Sequence, residues 1–395
     1  MNPLDRLLLL LFAAAALTFG YIDLEWGFAV GRYWVNAPVV DVIALGFLAA
    51  WLWRRVTAPD ETTPWPGRWV YLGFMAIALA SAVGAVHRAD ALHEWARKFV
   101  FYYAAFGVAM SHWIARRSDV QKICRLLLIG VLALAAVSVV TSFTRWGSGE
   151  SLWHVALEGL TPNHKTLAVA LAPCLPLALG WRGQTTDRER WWANLVIALL
   201  VGAVALSASK AAWICLAYGA MLWFPNRERA WGWRARFAVP FVLIGVSAAI
   251  YAPVLVGSKA MLDAARSRHS LNVRAVQMVA SHPVLGAGPG SSVEIEMVEF
   301  PHYRVNGVDA HGVVQKIAGE TGLGGLLAYG AFAGVVLITA VRRRRLSDTH
   351  AGAAGTILVL HLSLLLSTET FSPTHWFVFA VAWGLLHGPR PGAGR

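Results

Sequence analysis

Along most of the chain apolar residues come in unbroken runs rather than in alternation, and short polar stretches rich in arginine separate them. A continuous run fits a helix that is apolar on every side, whereas a membrane barrel alternates with period two. About twelve runs approach the roughly 20 apolar residues needed to cross a hydrocarbon core about 30 Å thick. They cover 5–22, 38–54, 69–87, 98–115, 122–142, 164–181, 192–207, 210–224, 236–255, 311–341, 351–368 and 372–388. Between Ser207 and Lys210 two runs meet with almost no loop, so they can also be read as one.

One polar interval is much longer than the others. Residues 259–268 and 272–280 read as amphipathic helices, the second with Val273, Val276 and Val279 on one face and Arg274, Gln277, Met278 and Ser281 on another. His282-Pro283 ends the second, and a glycine-rich turn follows over 284–292. The domain plan is therefore helices 1 to 9 in 1–255, a helical loop region in 256–310, and helices 10 to 12 in 311–395. The fold class expected is all-α, a polytopic membrane protein with about twelve transmembrane helices.

Composition agrees, with 57% hydrophobic and only 14% charged residues. With so many runs following it, the first reads as a retained helix rather than a cleaved signal peptide. Cys124, Cys174 and Cys215 fall in three different runs, which argues against a disulfide framework or a metal cluster. No nucleic-acid partner is expected. Membrane lipids are.

Arginine placement orients the chain, because cytoplasmic loops collect Lys and Arg. With the N-terminus inside, successive inner turns hold Arg54, Arg55 and Arg68; Arg116, Arg117 and Lys122; Arg182, Arg188 and Arg190; Arg227, Arg229, Arg234 and Arg236; and Arg342 to Arg345. Both termini are then cytoplasmic and 259–310 lies outside, which in a double-membrane bacterium is the periplasm. Against that bias, Arg88, Arg97, Lys98, Arg145, Lys165, Lys210, Lys259, Arg266, Arg268, Arg274 and Arg304 fall at or near outer helix ends. Headgroup contact and snorkelling account for part of this set. An anionic ligand, a lipid-linked phosphate or diphosphate, accounts for the rest.

Four patches carry a resemblance. Asn272 to Gly290, NVRAVQMVASHPVLGAGPG, and His311 to Gly325, HGVVQKIAGETGLGG, are the more specific; Thr161-Pro-Asn-His-Lys165 and Ser209-Lys-Ala-Ala are weaker. In this order they resemble the O-antigen ligase and polymerase superfamily of bacterial membrane glycosyltransferases. Two positions depart from its pattern: Lys210-Ala211 stands where Arg-Gly is expected, and Gly312 where Asn or Ser is common. The resemblance implies a twelve-span inner-membrane protein with a periplasmic site. It implies either a ligase moving O-antigen from undecaprenyl diphosphate onto lipid A-core, or a polymerase extending one lipid-linked glycan with another. The single modest outer loop and the length favour the ligase.

The residues suit such chemistry. A diphosphate leaves without a proton once its charge is neutralised, so one base and a cationic cradle suffice, with no metal, nucleotide or other cofactor. His311 is the expected base, since an imidazole is largely neutral outside the cell and can take a proton from a sugar hydroxyl. Arg274 is the leading diphosphate ligand because a guanidinium fork matches two phosphate oxygens. Lys210, Lys165, Arg97 and then Arg88 are further cationic candidates, and Asn163 caps a helix or contacts substrate. Glu320, nine residues after His311, points about half a turn away on an unbroken helix and is read as structural, although a break at Gly319 brings the two together. Direct attack by one activated hydroxyl predicts inversion at the sugar carbon. The reading from a different class is a transporter of an anionic lipid-linked solute, which the absence of matching repeated halves disfavours.

Overall fold

The computed structural model describes residues 3–18, 25–30, 33–57, 65–117, 119–147, 169, 171–206, 209–223, 273, 275–291, 312–366 and 371–389. The α-helices of the bundle are α1 (Pro3–Thr18), α2 (Val39–Thr57), α3 (Arg68–Gly84), α4 (Arg88–Glu94), α5 (Ser111–Ala115), α6 (Val120–Gly147), α7 (Cys174–Gln184), α8 (Asp187–Leu206), α9 (Lys210–Trp223), α10 (Val313–Arg343), α11 (Asp348–Leu366) and α12 (Pro373–His387), and 275–281 are helical as well. Eleven of the twelve apolar runs coincide wholly or partly with these helices, and 236–255 lies outside the described residues. At the meeting point of the two runs, α8 ends at Leu206 and α9 begins at Lys210. By length and composition α10 and α11 are apolar and long enough to cross a membrane.

Two departures from the expected all-α chain are local. Residues Glu25–Val30 (β1) and Tyr33–Pro38 (β2) pair as an antiparallel hairpin, with Glu25 opposite Pro38 and Val30 opposite Tyr33. Between α4 and α5, Trp95–Phe101 and Tyr103–Met110 are wound as wide π turns. Such turns are rare because their hydrogen bonds run from i to i+5 and leave carbonyls at the transitions without an α-type partner. Neighbouring helices supply donors: Trp376 Nε1 to the Lys98 carbonyl at 3.2 Å and the Tyr71 hydroxyl to that of Phe99 at 2.9 Å.

α11 is the hub of the bundle, packed on α7, α9, α10 and α12. Its crossing with α7 is close because both faces are small. A Cβ on Gly352 would stand 2.6 Å from the Pro176 carbonyl oxygen, and one on Gly180 3.0 Å from the Gly352 Cα. The Thr356 hydroxyl donates to the Pro173 carbonyl at 2.7 Å, tying α11 to the start of α7. An aromatic cluster joins α3, the π turns, α10 and α12: Tyr71 stacks on Tyr103 at 3.8 Å and meets Phe332 edge-on at 4.7 Å. Cys124, Cys174 and Cys215 are buried.

Candidate functional site

The organising feature is a break in α10. Gly322 has φ 70° and ψ −173° inside an otherwise helical run, so the backbone there turns out of the helix and back. The break freed groups that the turn 283–288 takes up. Ala287 N–H donates to the Gly319 carbonyl at 3.0 Å, Gly288 N–H to that of Glu320 at 2.9 Å, and Leu323 N–H to that of Pro283 at 2.9 Å. The Ser81 hydroxyl of α3 adds a second bond to the Glu320 carbonyl at 2.6 Å.

Glycine is required on both sides of this seam. Gly286 has φ 70°, and a Cβ there would lie 2.5 Å from both the Glu320 carbonyl oxygen and the Gly322 nitrogen. A Cβ on Gly322 would lie 2.3 Å from the Val284 carbonyl oxygen. The two sequence patches of greatest specificity, 272–290 and 311–325, are therefore one interlocked piece of backbone. Gly319 stays helical and packs on Met278, so the break falls at Gly322 instead.

The same turn reaches the cations at the start of the π winding. Gly288 lies against Ala85 and Ala91, and a Cβ on Gly290 would come within 3.0 Å of Glu94 Cγ. Glu94 holds Lys98 Nζ at 2.6 Å. One residue earlier, Arg97 is bound to Asp41 at 3.2 Å and donates to the Tyr102 hydroxyl at 3.1 Å, which itself donates to Asp41 at 2.6 Å. On an α-helix residues five apart would sit about 140° from one another. The π winding, with i to i+5 bonding, puts Arg97 and Tyr102 on one face.

Arg97 thus stands in a closed triad, half-buried, rather than as an unpaired cation. Arg88 is exposed on the first turn of α4. Lys210 opens α9, where Ser209 is buried and its hydroxyl oxygen accepts the Ala212 N–H at 3.4 Å. Glu320 is 1% exposed and its carboxylate lies 3.9 Å from the buried Lys316 ammonium. His311, Arg274, Lys165 and Asn163 lie outside the described residues, as does the side chain of Lys210. The helical stretch after Arg274, 275–281, buries Ala275 and Met278; Val276, like Val273 before it, is exposed, and Val279, the third valine of the stripe, is half-buried.

Gly312, directly after His311, has φ 101° and ψ 145°. A Cβ there would approach the Leu365 carbonyl oxygen to 2.8 Å. The departure from Asn or Ser at this position therefore has a backbone cause. Sequence reading missed Lys316, Asp41, Tyr102 and Ser81. For two of them a signal existed: Asp41 is an acid inside an apolar run, and Lys316 and Glu320 are oppositely charged at i and i+4. Among the described residues no group of three or more His, Cys, Asp or Glu is placed to hold a metal ion. No protein-family model matches the chain, and no curated protein matches it significantly.

Proposed function

We propose that the chain is a polytopic inner-membrane glycosyltransferase of the O-antigen ligase type, with its site on the periplasmic side and both termini in the cytoplasm. Its donor is a glycan on undecaprenyl diphosphate and its acceptor is lipid A-core. The observation that carries the reading is the seam between 283–288 and the break in α10, because it unites the two more specific of the four patches that carry the resemblance. Large apolar side chains on outward faces, among them Val56, Trp53, Leu10 and Leu327, support the multi-span reading, since hydrocarbon is the solvent that tolerates them.

His311 takes the proton from the attacking acceptor hydroxyl. Arg274, with Lys165 and Lys210, neutralises the diphosphate as it leaves, and stabilising that charge more in the transition state than in the bound donor is what raises the rate. Arg97 serves by shaping the rim through Asp41 and Tyr102, and Arg88 meets headgroups or substrate from the exposed turn. The step needs neither metal nor nucleotide, and direct displacement inverts the anomeric carbon. A polymerase uses the same residues and differs only in its acceptor.

The test is transfer by purified protein given lipid-linked glycan, lipid A-core and a chelator. Product should form without a gradient and fall about 10²-fold or more in His311→Ala, which retains its fold. Full activity of His311→Ala would overturn the base assignment, dependence on a gradient would point to transport, and extension of the donor glycan alone would point to the polymerase.

A further inference from the structure

At the end of α3 opposite Ser81, cations and indoles alternate in one row. The Arg55 guanidinium lies over the Trp51 ring at 5.3 Å, Trp51 meets Trp65 at 6.1 Å, and Arg68 lies over both Trp65, at 4.7 Å, and Trp69, at 4.6 Å. The row joins the last turns of α2 to the first turn of α3. It is held from behind by the aromatic cluster. The Tyr103 hydroxyl donates to the Pro66 carbonyl at 2.7 Å, and Gly67, at φ 53°, lies so near Phe332 that a Cβ there would come within 2.7 Å of the ring.

Arg68 is the exposed cation of the row, and Arg55 is half-buried. Arg54 and Arg117, at helix ends assigned to the same side, are paired with Asp5 and Asp119. Among the described residues no carboxylate pairs with Arg68. Two indoles hold its guanidinium by cation–π attraction, and a guanidinium so held still offers N–H donors to an anion. Little side-chain freedom is then left to lose on binding.

Apolar surface continues from the row. Trp69 is 72% exposed, and Trp53 and Val56 in the last turns of α2 are exposed as well. Water is a poor solvent for such a patch, whereas the edge of a bilayer suits each part of it: indoles at headgroup level, a guanidinium on phosphate, apolar groups against acyl chains. A headgroup of net negative charge fits better than a zwitterionic one, whose ammonium the cations of the row repel.

We propose that this row binds an anionic glycerophospholipid of the cytoplasmic leaflet, its phosphate accepting from the Arg68 guanidinium and an acyl chain lying against Trp69. The proposal rests on the bilayer setting and orientation proposed above but not on the transfer reaction, so its test reads binding alone. Full-length protein is placed in phosphatidylcholine nanodiscs that carry a diazirine-bearing lipid, either phosphatidylglycerol or phosphatidylcholine, at equal mole fraction. After irradiation, the peptides covering 51–72 should carry about 5-fold more of the phosphatidylglycerol probe.

Arg68→Gln should bring that excess down to the phosphatidylcholine level, and Trp69→Leu should lower it about 2-fold. Arg345→Gln removes an exposed arginine assigned to the same side and should leave the excess unchanged. Should Arg68→Gln fail to fold, as judged by elution and melting, Trp69→Leu carries the comparison. Equal uptake of the two probes, an excess that survives in both folded variants, or one that Arg345→Gln lowers as much would overturn the site. Displacement of the probe by inorganic phosphate would also overturn it, giving the row to a soluble anion. Uptake of both probes along α10 would show the bilayer setting intact, so that a negative result at 51–72 counts against this site alone.

Discussion

The two halves of α10 share a helix and a glycine-rich composition but differ in what their glycines meet. Around the break, Gly322 is locked against the Val284 carbonyl and Gly319 against Met278, while Glu320 and Thr321 are buried. Beyond it, Gly330 and Gly334 have nothing within 4 Å of a built Cβ, and Leu327 is 75% exposed. In the first half glycine is a geometric requirement of a tertiary seam. In the second it is only a small residue on an open face. The lesson is that the motif 319–325 is read by the turn 283–288, and its function follows from that partner rather than from helix bending in general.

The sharpest way to break the comparison is to add one methyl at each seam position. Gly322→Ala and Gly286→Ala should each cost about 3 kcal/mol or more, combining positive-φ strain with a clash against backbone, as measured by thermal or denaturant unfolding in detergent. A smaller loss is expected from Ser81→Ala. It removes one of two donors to the Glu320 carbonyl, so the acceptor keeps Gly288 N–H, and about 1 kcal/mol should be lost. Gly330→Ala should have the opposite sign, stabilising by about 0.5–1 kcal/mol through reduced unfolded-chain entropy.

The smallest effect lies far from the seam, at the turn after α5. There Arg117 donates to Asp119 at 2.6 Å and 2.5 Å, and those bonds hold the Asp119 carboxyl below its usual range. A depressed folded-state value means that the contribution is present above the ordinary carboxylate pKa and is lost as pH falls through the folded value. The pair is partly exposed and screened, so the acid-side loss removed by Asp119→Asn should be about 0.2–1 kcal/mol. A melting-temperature profile against pH checks it.

What the sequence reveals follows the range of the interactions concerned. The helices of the bundle are legible because long hydrophobic runs are a local signal. The position of the α10 break is not. Gly319, Gly322, Gly324 and Gly325 are equivalent to a local reading, and only the approach of the Val284 carbonyl selects Gly322. The Asp41–Tyr102–Arg97 triad joins residues 61 positions apart through a π winding that leaves no periodic trace.

The central claim is that the seam at Gly322 organises the transfer site. It is tested most directly by measuring glycan transfer by purified Gly322→Ala and Gly330→Ala in the same nanodiscs, at a temperature where both are folded. The account predicts a loss of about 100-fold for Gly322→Ala, since small misplacements of reacting groups cost that much, and wild-type turnover for Gly330→Ala. Equal activity of the two variants would contradict it.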